Sequence, residues 1–354
     1  MDRKGRIIVL VISLIVLIAF SIFLIFNSKY ESEYAMRMNE KIQNYYSLVE
    51  EQQRIQLEKE KRTAEIKEMI PGIACWGDDL TYGLGGMKNS YPSVLNNELI
   101  LAGYDIEVKN LGVYGEDSLT VLGRANAIPF VIKEDCEIYA NKYSELEIMS
   151  RTGEAVQPLL RSVNPGVNPV LINGIRGMLG GTVSSGTSES VNEYLFAPLE
   201  LKDSTTVSAG TEIVTAGVEF VDYISILSIG ENGGWGDDPS TLLSQQRSFV
   251  ETRGLNKDKT IIIGLIKGNT ITNNIADTIM SDAFGKNFIN IREYLCNEGI
   301  NKSNIELSEE DKIAVNIGEV PKVFYNDRGL NDEAYKLIGE LLFEKLEELG
   351  YILK

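Results

Sequence analysis

Apolar residues follow three different rhythms along this chain. Residues 7–26 form an apolar run in which serines are the only polar interruptions. At ~1.5 Å per residue, a helix of that length crosses the ~30 Å hydrocarbon core of a bilayer. Arg3, Lys4 and Arg6 precede the run. The positive-inside rule therefore leaves residues 1–6 in the cytoplasm and sends the rest of the chain outside. A cleaved signal peptide would have a shorter apolar core, ~7–15 residues, and a small-x-small site. The residues after Phe26, Asn27-Ser28-Lys29, offer no such site, so the pattern predicts an uncleaved N-terminal transmembrane helix and a single-pass membrane protein.

Residues 27–70 are polar and contain no Gly or Pro. Ala35, Met38, Ile42, Tyr45 and Val49 recur at heptad-like spacing, but Gln52, Gln56, Lys59 and Thr63 continue the seam. A polar seam does not hold a coiled coil, so a single helical stalk is expected, ended by Pro71-Gly72.

From Gly72 onward, short apolar runs alternate with amphipathic helices. Strands are expected at residues 72–77, 106–112, 223–230, 260–266 and 288–291, and helices at 91–102, 118–127, 240–253 and 271–284. A last helix begins near Asn331, with Ala334, Leu337, Ile338, Leu341, Leu342 and Leu346 on one face. Strand-helix alternation implies a parallel sheet covered on both faces. The fold class expected is α/β, a flavodoxin-like three-layer doubly wound sheet, for a domain over residues 71–354. Residues 130–218 break the rhythm with short alternating segments and the Gly/Ser-rich stretch GGTVSSGTSES. They read as a β-rich insertion in a loop at one end of the sheet.

Composition narrows the chemistry. Hydrophobic residues at 44% and charged residues at 24% suit a domain with a real core. The formal charge of −17 repels phosphate backbones and speaks against nucleic acid as a partner. Cys75, Cys136 and Cys296 are far apart and match no metal spacing. The chain contains no histidine, which excludes His-based zinc sites and every Ser-His or Cys-His dyad. No cofactor is called for.

Binding sites in parallel sheets lie at the carboxyl ends of strands. There the chain carries Gly77-Asp78-Asp79-Leu80, then Asn110 to Ser118 with Gly112 and Gly115, then Gly230-Glu231-Asn232-Gly233, and before the last helix Asn326-Asp327-Arg328-Gly329-Leu330-Asn331. In this order, on these elements, the four segments resemble the signature blocks of SGNH/GDSL hydrolases, serine esterases on a flavodoxin-like sheet. The resemblance implies that Asp79 stands at the nucleophile position, Gly115 and Asn232 at the oxyanion-hole positions, and Asn326 and Gly329 at the positions of the family's catalytic Asp and His.

So the oxyanion half of the machinery is kept, and the nucleophile and base are missing. A carboxylate at position 79 has no hydroxyl to activate. At ~4 Å and an effective dielectric of ~20 it would also repel a developing oxyanion by about 4 kcal/mol, roughly a thousandfold in rate. The expectation is a degenerate, non-catalytic member that binds an envelope carbohydrate or a partner protein through the old cleft. Asp79, Gly115 and Asn232 would line it, with Asp78, Trp76, Trp235 and Asp327 as further cleft candidates. Alternatives are an ester hydrolase with a non-standard site, a cation held by Asp78, Asp79, Asp327 and Asp332, a two-carboxylate glycosidase, and a scaffold acting through stalk and anchor. Ser118 follows an Asp but opens a helix, where a cap is the favoured role.

Overall fold

The computed structural model describes residues 3–69, 71–156, 166–183 and 191–352. The chain divides into two units, Met1–Ala64 and Glu65–Lys354. Helix α1 (Arg3–Met69) is continuous. Its residues from Leu14 to Phe26 are all exposed. The side chains of residues 3–13, and of the expected seam residues Ala35, Met38, Ile42 and Thr63, lie outside the described residues, as do residues 184–190 of the Gly/Ser-rich stretch.

In the second unit β1 (Gly72–Gly77) leads into the short α2 (Asp79–Tyr82), α3 (Tyr91–Leu101), β2 (Glu107–Gly112) and α4 (Ser118–Arg124). Nine strands follow: β3 (Phe130–Ile132), β4 (Cys136–Ile138), β5 (Ser144–Leu146), β6 (Ile148–Ser150), β7 (Val170–Ile172), β8 (Ile175–Val183), β9 (Val191–Pro198), β10 (Thr205–Val207) and β11 (Glu212–Val214). The strand-helix rhythm then resumes with β12 (Ile224–Ser228), α5 (Pro239–Glu251), β13 (Thr260–Ile263), α6 (Thr270–Phe284), β14 (Phe288–Ile289) and α7 (Ile291–Tyr294). The chain continues through α8 (Ile300–Ser303) and α9 (Glu309–Asn316) to α10 (Asp332–Glu348).

Among the described residues two large sheets and one strand pair result. The first is parallel, in the order β14-β13-β12-β1-β2. Its strands alternate their side chains between two cores. Ile73 and Cys75 pack with Leu95 of α3 and Leu337, Ile338 and Leu342 of α10. Ala74 and Trp76 pack with Val121 of α4, Phe249 of α5 and Met280 of α6. The second sheet is antiparallel, in the order β5-β9-β8-β7-β11-β3-β6. Its edge strands β5 and β6 are consecutive in the chain, separated by Glu147 alone, so the sheet curls almost into a barrel. Strands β4 and β10 form a separate pair.

The architecture corrects the expected flavodoxin-like, three-layer doubly wound sheet with a β-rich insertion and an N-terminal transmembrane helix. The molecule is mixed α/β with two distinct sheets, and the antiparallel one has more strands than the parallel one. The reason is burial. Phe130, Ile132, Ile172, Phe196 and Ile213 form a core of their own, joined by Leu119 of α4. Residues that bury this much apolar surface together fold as a body rather than decorate a loop. Among the described residues no helix is long and apolar enough to cross a membrane.

Candidate functional site

The site is built where β1, β2, β12 and β13 end. Gly77 closes β1, and Asp78 caps α2 by accepting the Leu80 N–H at 3.4 Å. Capping turns Asp78 inward, fully buried, and leaves its Oδ2 without a partner. Burial, with the charges of Glu231 and Asp79 nearby, raises the Asp78 carboxyl well above the usual range.

Asp79 points the other way. Its Oδ1 accepts the Gly115 N–H at 2.6 Å and the Asn232 Nδ2–H at 3.1 Å. Its Oδ2 meets Lys267 Nζ at 3.2 Å. Gly115 reaches this pose at φ +79°, a conformation that glycine adopts freely. Asn232 is fixed by a second bond from Nδ2 to the Glu116 carbonyl, 3.1 Å. Burial pushes the Asp79 carboxyl upward, but the Gly115 N–H, the Asn232 amide and Lys267 together outweigh it. The net displacement is downward, and Asp79 is a carboxylate at neutral pH.

The two donors at the positions expected to form an oxyanion hole are thus already engaged by the protein's own oxygen. The sequence argument, based on like-charge repulsion, gives way to a steric one. Lys267 offsets the Asp79 charge, but a substrate oxyanion would have to occupy the position that Asp79 Oδ1 holds.

Lys267 escaped the sequence reading, which names Glu231 only within its segment and gives it no role. Glu231 accepts the N–H groups of Ile266, at 2.5 Å, and Lys267, at 3.0 Å. It thereby ties the loop after β12 to the loop after β13 and aims Lys267 at Asp79. Burial raises the Glu231 carboxyl, in opposition to those two N–H groups and the lysine. The signal was present: Lys267 follows β13 at the same carboxyl edge that carries the other segments, and a half-buried carboxylate needs a counter-charge.

The last segment is structural. Asn326 Oδ1 accepts the N–H groups of Arg328 and Gly329, at 2.9 and 3.2 Å, and its Nδ2 donates to the Gly85 carbonyl. At Gly329 a Cβ would lie 2.3 Å from the Leu84 carbonyl oxygen. No side chain, histidine included, fits there without moving the backbone of the 84–86 loop. Tyr335 Oη holds the same Leu84 carbonyl at 2.9 Å. The cleft lined by Asp79, Leu84, Glu231, Lys267, Tyr325 and Tyr335 encloses about 20 Å³, room for roughly one water molecule.

The other candidates do not face it. Trp76 is fully buried between Phe220 and Phe249, with the guanidinium groups of Arg124 and Arg253 beside its ring. Trp235 is buried and braces its loop through Nε1 to the Gly230 carbonyl at 2.9 Å. Asp327 is exposed at the tip of the 326–329 turn. Asp332 accepts the N–H groups of Met87, Lys88 and Asn89, so Asp78, Asp79, Asp327 and Asp332 do not converge on a common point. Ser118 is not the cap of α4; Asp117 is, accepting the Thr120 N–H at 2.8 Å. Beneath the cleft, Arg124 pairs with Glu116 at 2.6 Å with both side chains fully buried. Its Nη2 reaches the Leu111 carbonyl at 3.0 Å. Burial pushes the Glu116 carboxyl up to about 7 in spite of Arg124.

Comparison with protein-family models, with curated proteins and with solved structures returns no match.

Proposed function

We propose that the globular unit is a non-catalytic binding domain resembling the SGNH/GDSL hydrolases, which acts by recognising an envelope carbohydrate or a partner protein. One observation carries this reading: Gly115 and Asn232 both donate to Asp79 Oδ1. A carboxylate oxygen there occupies the place of the tetrahedral oxyanion, so the hole is filled from within. The blocked histidine position at Gly329 supports the same conclusion. Acyl transfer through serine and histidine needs both side chains and a vacant oxyanion hole; among the described residues neither a serine nor a histidine lines the cleft, and its two donors are taken by Asp79.

The reading includes a location. Basic residues at positions 3, 4 and 6, followed by an apolar stretch whose residues 14–26 are all exposed, support attachment to a membrane with the globular unit outside the cytoplasm. Alkaline extraction that releases the intact chain from membranes would remove that part of the proposal.

The test of the central claim is hydrolysis of p-nitrophenyl acetate and of an acetylated glycan by the full chain. Wild type is compared with Asp79→Ala, with and without divalent cations. The expected result is background hydrolysis throughout. Turnover that falls in Asp79→Ala would make Asp79 a chemical group and end the non-catalytic reading.

A further inference from the structure

The closed cleft leaves a binding domain in need of another site, and one opens at the far end of the same sheet edge. Where β14 passes into α7, a groove of about 730 Å³ runs between α6, α7 and the loop after α9. That volume lies within the range of small-molecule sites, and the carboxyl edge of a parallel sheet is where such sites occur. The turn after α7, Leu295–Gly299, is π-helical and brings Cys296 and Asn297 to the groove wall. Single π turns are rare and recur at functional sites.

The floor of the groove is preorganised. Arg292 and Asp277 pair at 2.6 Å, with side chains only 6% and 10% exposed. Arg292 also donates to the Asn274 side chain at 2.7 Å and the Gly318 carbonyl at 2.6 Å. Asn290 donates to the same Asp277 oxygen at 3.0 Å. A buried ion pair is costly to maintain, and this one forms the base of an open cavity rather than the centre of a core.

The walls indicate the class of ligand. Ser281 presents a hydroxyl, Asn297 an amide, Thr278 a hydroxyl oxygen whose proton goes to the Asn274 carbonyl at 2.8 Å, and Phe288 part of a ring face. Asp282 and Glu293 add two carboxylates, while Arg292, the one cation among the described residues lining the groove, is paired to Asp277. Hydroxyls and amides both donate and accept, and carboxylates accept in pairs. Such a set matches the closely spaced hydroxyls of a sugar, and the acidic surplus turns away anions.

We propose that this groove binds an uncharged oligosaccharide. The proposal rests on the reading of the chain as a binding protein and gives that reading a place and a ligand class. The contacts are hydrogen bonds with the Ser281 hydroxyl and the Asn297 amide and to the Asp282 and Glu293 carboxylates, with Asn290, Arg292 and Asp277 holding the floor rigid.

Calorimetric titration of the full chain in detergent tests it, with maltotriose, N,N′,N″-triacetylchitotriose and trigalacturonate as probes. Saturable binding is expected for at least one of the two neutral trisaccharides and not for trigalacturonate. Asn297→Trp, which fills the groove, should weaken binding at least ~10-fold, equivalent to ~1.4 kcal/mol. Ser281→Ala, at an exposed position on α6, should weaken it ~3-fold. Failure of both neutral sugars to bind, preference for trigalacturonate, or binding that survives Asn297→Trp would overturn the proposal. Ester hydrolysis measured on the same preparation keeps the two readings apart: turnover would sink the non-catalytic assignment alone.

Discussion

The cleft at Asp79 and the groove at Arg292 share one edge of one parallel sheet, and each has a buried ion pair at its base. At the cleft, Glu116–Arg124 is wholly enclosed, and the donors above it are spent on Asp79. At the groove, Asp277–Arg292 retains slight exposure, and the cavity above it stays open. Similar ingredients, a buried carboxylate and guanidinium contributed by the helices and loops that follow the strands, thus serve opposite ends. Which end is served depends on whether the neighbouring polar groups face the protein's own charges or face solvent. In the cleft a single side chain, at position 79, makes that difference.

The two pairs can be set against each other directly. Arg124→Ala leaves Glu116 buried without its cation and removes the donor to the Leu111 carbonyl. The expected cost is about 3 kcal/mol, the low end for a broken buried pair, because Glu116 can take up a proton. Arg292→Ala should cost less, about 2 kcal/mol, since water reaches its site more readily. Urea denaturation midpoints at constant slope report both. The reverse order would break the comparison, because it would place the rigid base under the groove rather than the cleft.

The next effect in size concerns how the cleft is shut. Gly329→Ala puts a Cβ 2.3 Å from the Leu84 carbonyl oxygen. Overpacking of that kind costs ~1–3 kcal/mol. The loss should appear in the same denaturation assay, with faster hydrogen exchange at residues 84–86 as the local readout. It follows that Asp79→Ser combined with Gly329→His should not hydrolyse p-nitrophenyl acetate above background. Turnover by that double variant would show that the loop yields easily and that the cleft is closed only in the resting chain.

Much of the parallel sheet could be read from the sequence, because its strands bury both faces and appear as apolar runs such as Gly72–Gly77 and Thr260–Ile263. Asp79, Gly115 and Asn232 could be placed at one edge for the same reason: each follows a strand. The antiparallel body was misjudged. Strands of three residues, such as Phe130–Ile132 and Glu212–Val214, carry too little periodicity to reveal partners more than eighty residues away. Trp76 was misjudged too, because a strand residue next to a functional loop can still point into the core. Lys267 and the groove were missed for one reason. Their partners, Asp79 and Asp277, are brought to them by the crossovers between strands, and no local motif records that.

The smallest expected effect tests the charge balance at Asp79. Lys267 is nearly half exposed, so Lys267→Met should cost under ~1 kcal/mol at neutral pH. Its signature is pH dependence. The folded Asp79 carboxyl lies below its ordinary value of 3.8, so its contribution is complete above that value and is lost as pH falls through the folded pKa. Removing the lysine raises that folded pKa. The stability gap between wild type and variant should therefore narrow toward zero on acidification, as Asp79 takes up its proton in both. Asp78 and Glu231 work in the opposite sense. Burial raises their carboxyls, so their contribution is complete below the ordinary carboxylate range and is lost as pH rises through the folded values. A gap that had already closed above the ordinary carboxylate value of 3.8 would mean that Lys267 serves Glu231 and Asp78, whose carboxyls burial raises, rather than Asp79, and that Asp79 is held by Gly115 and Asn232 alone.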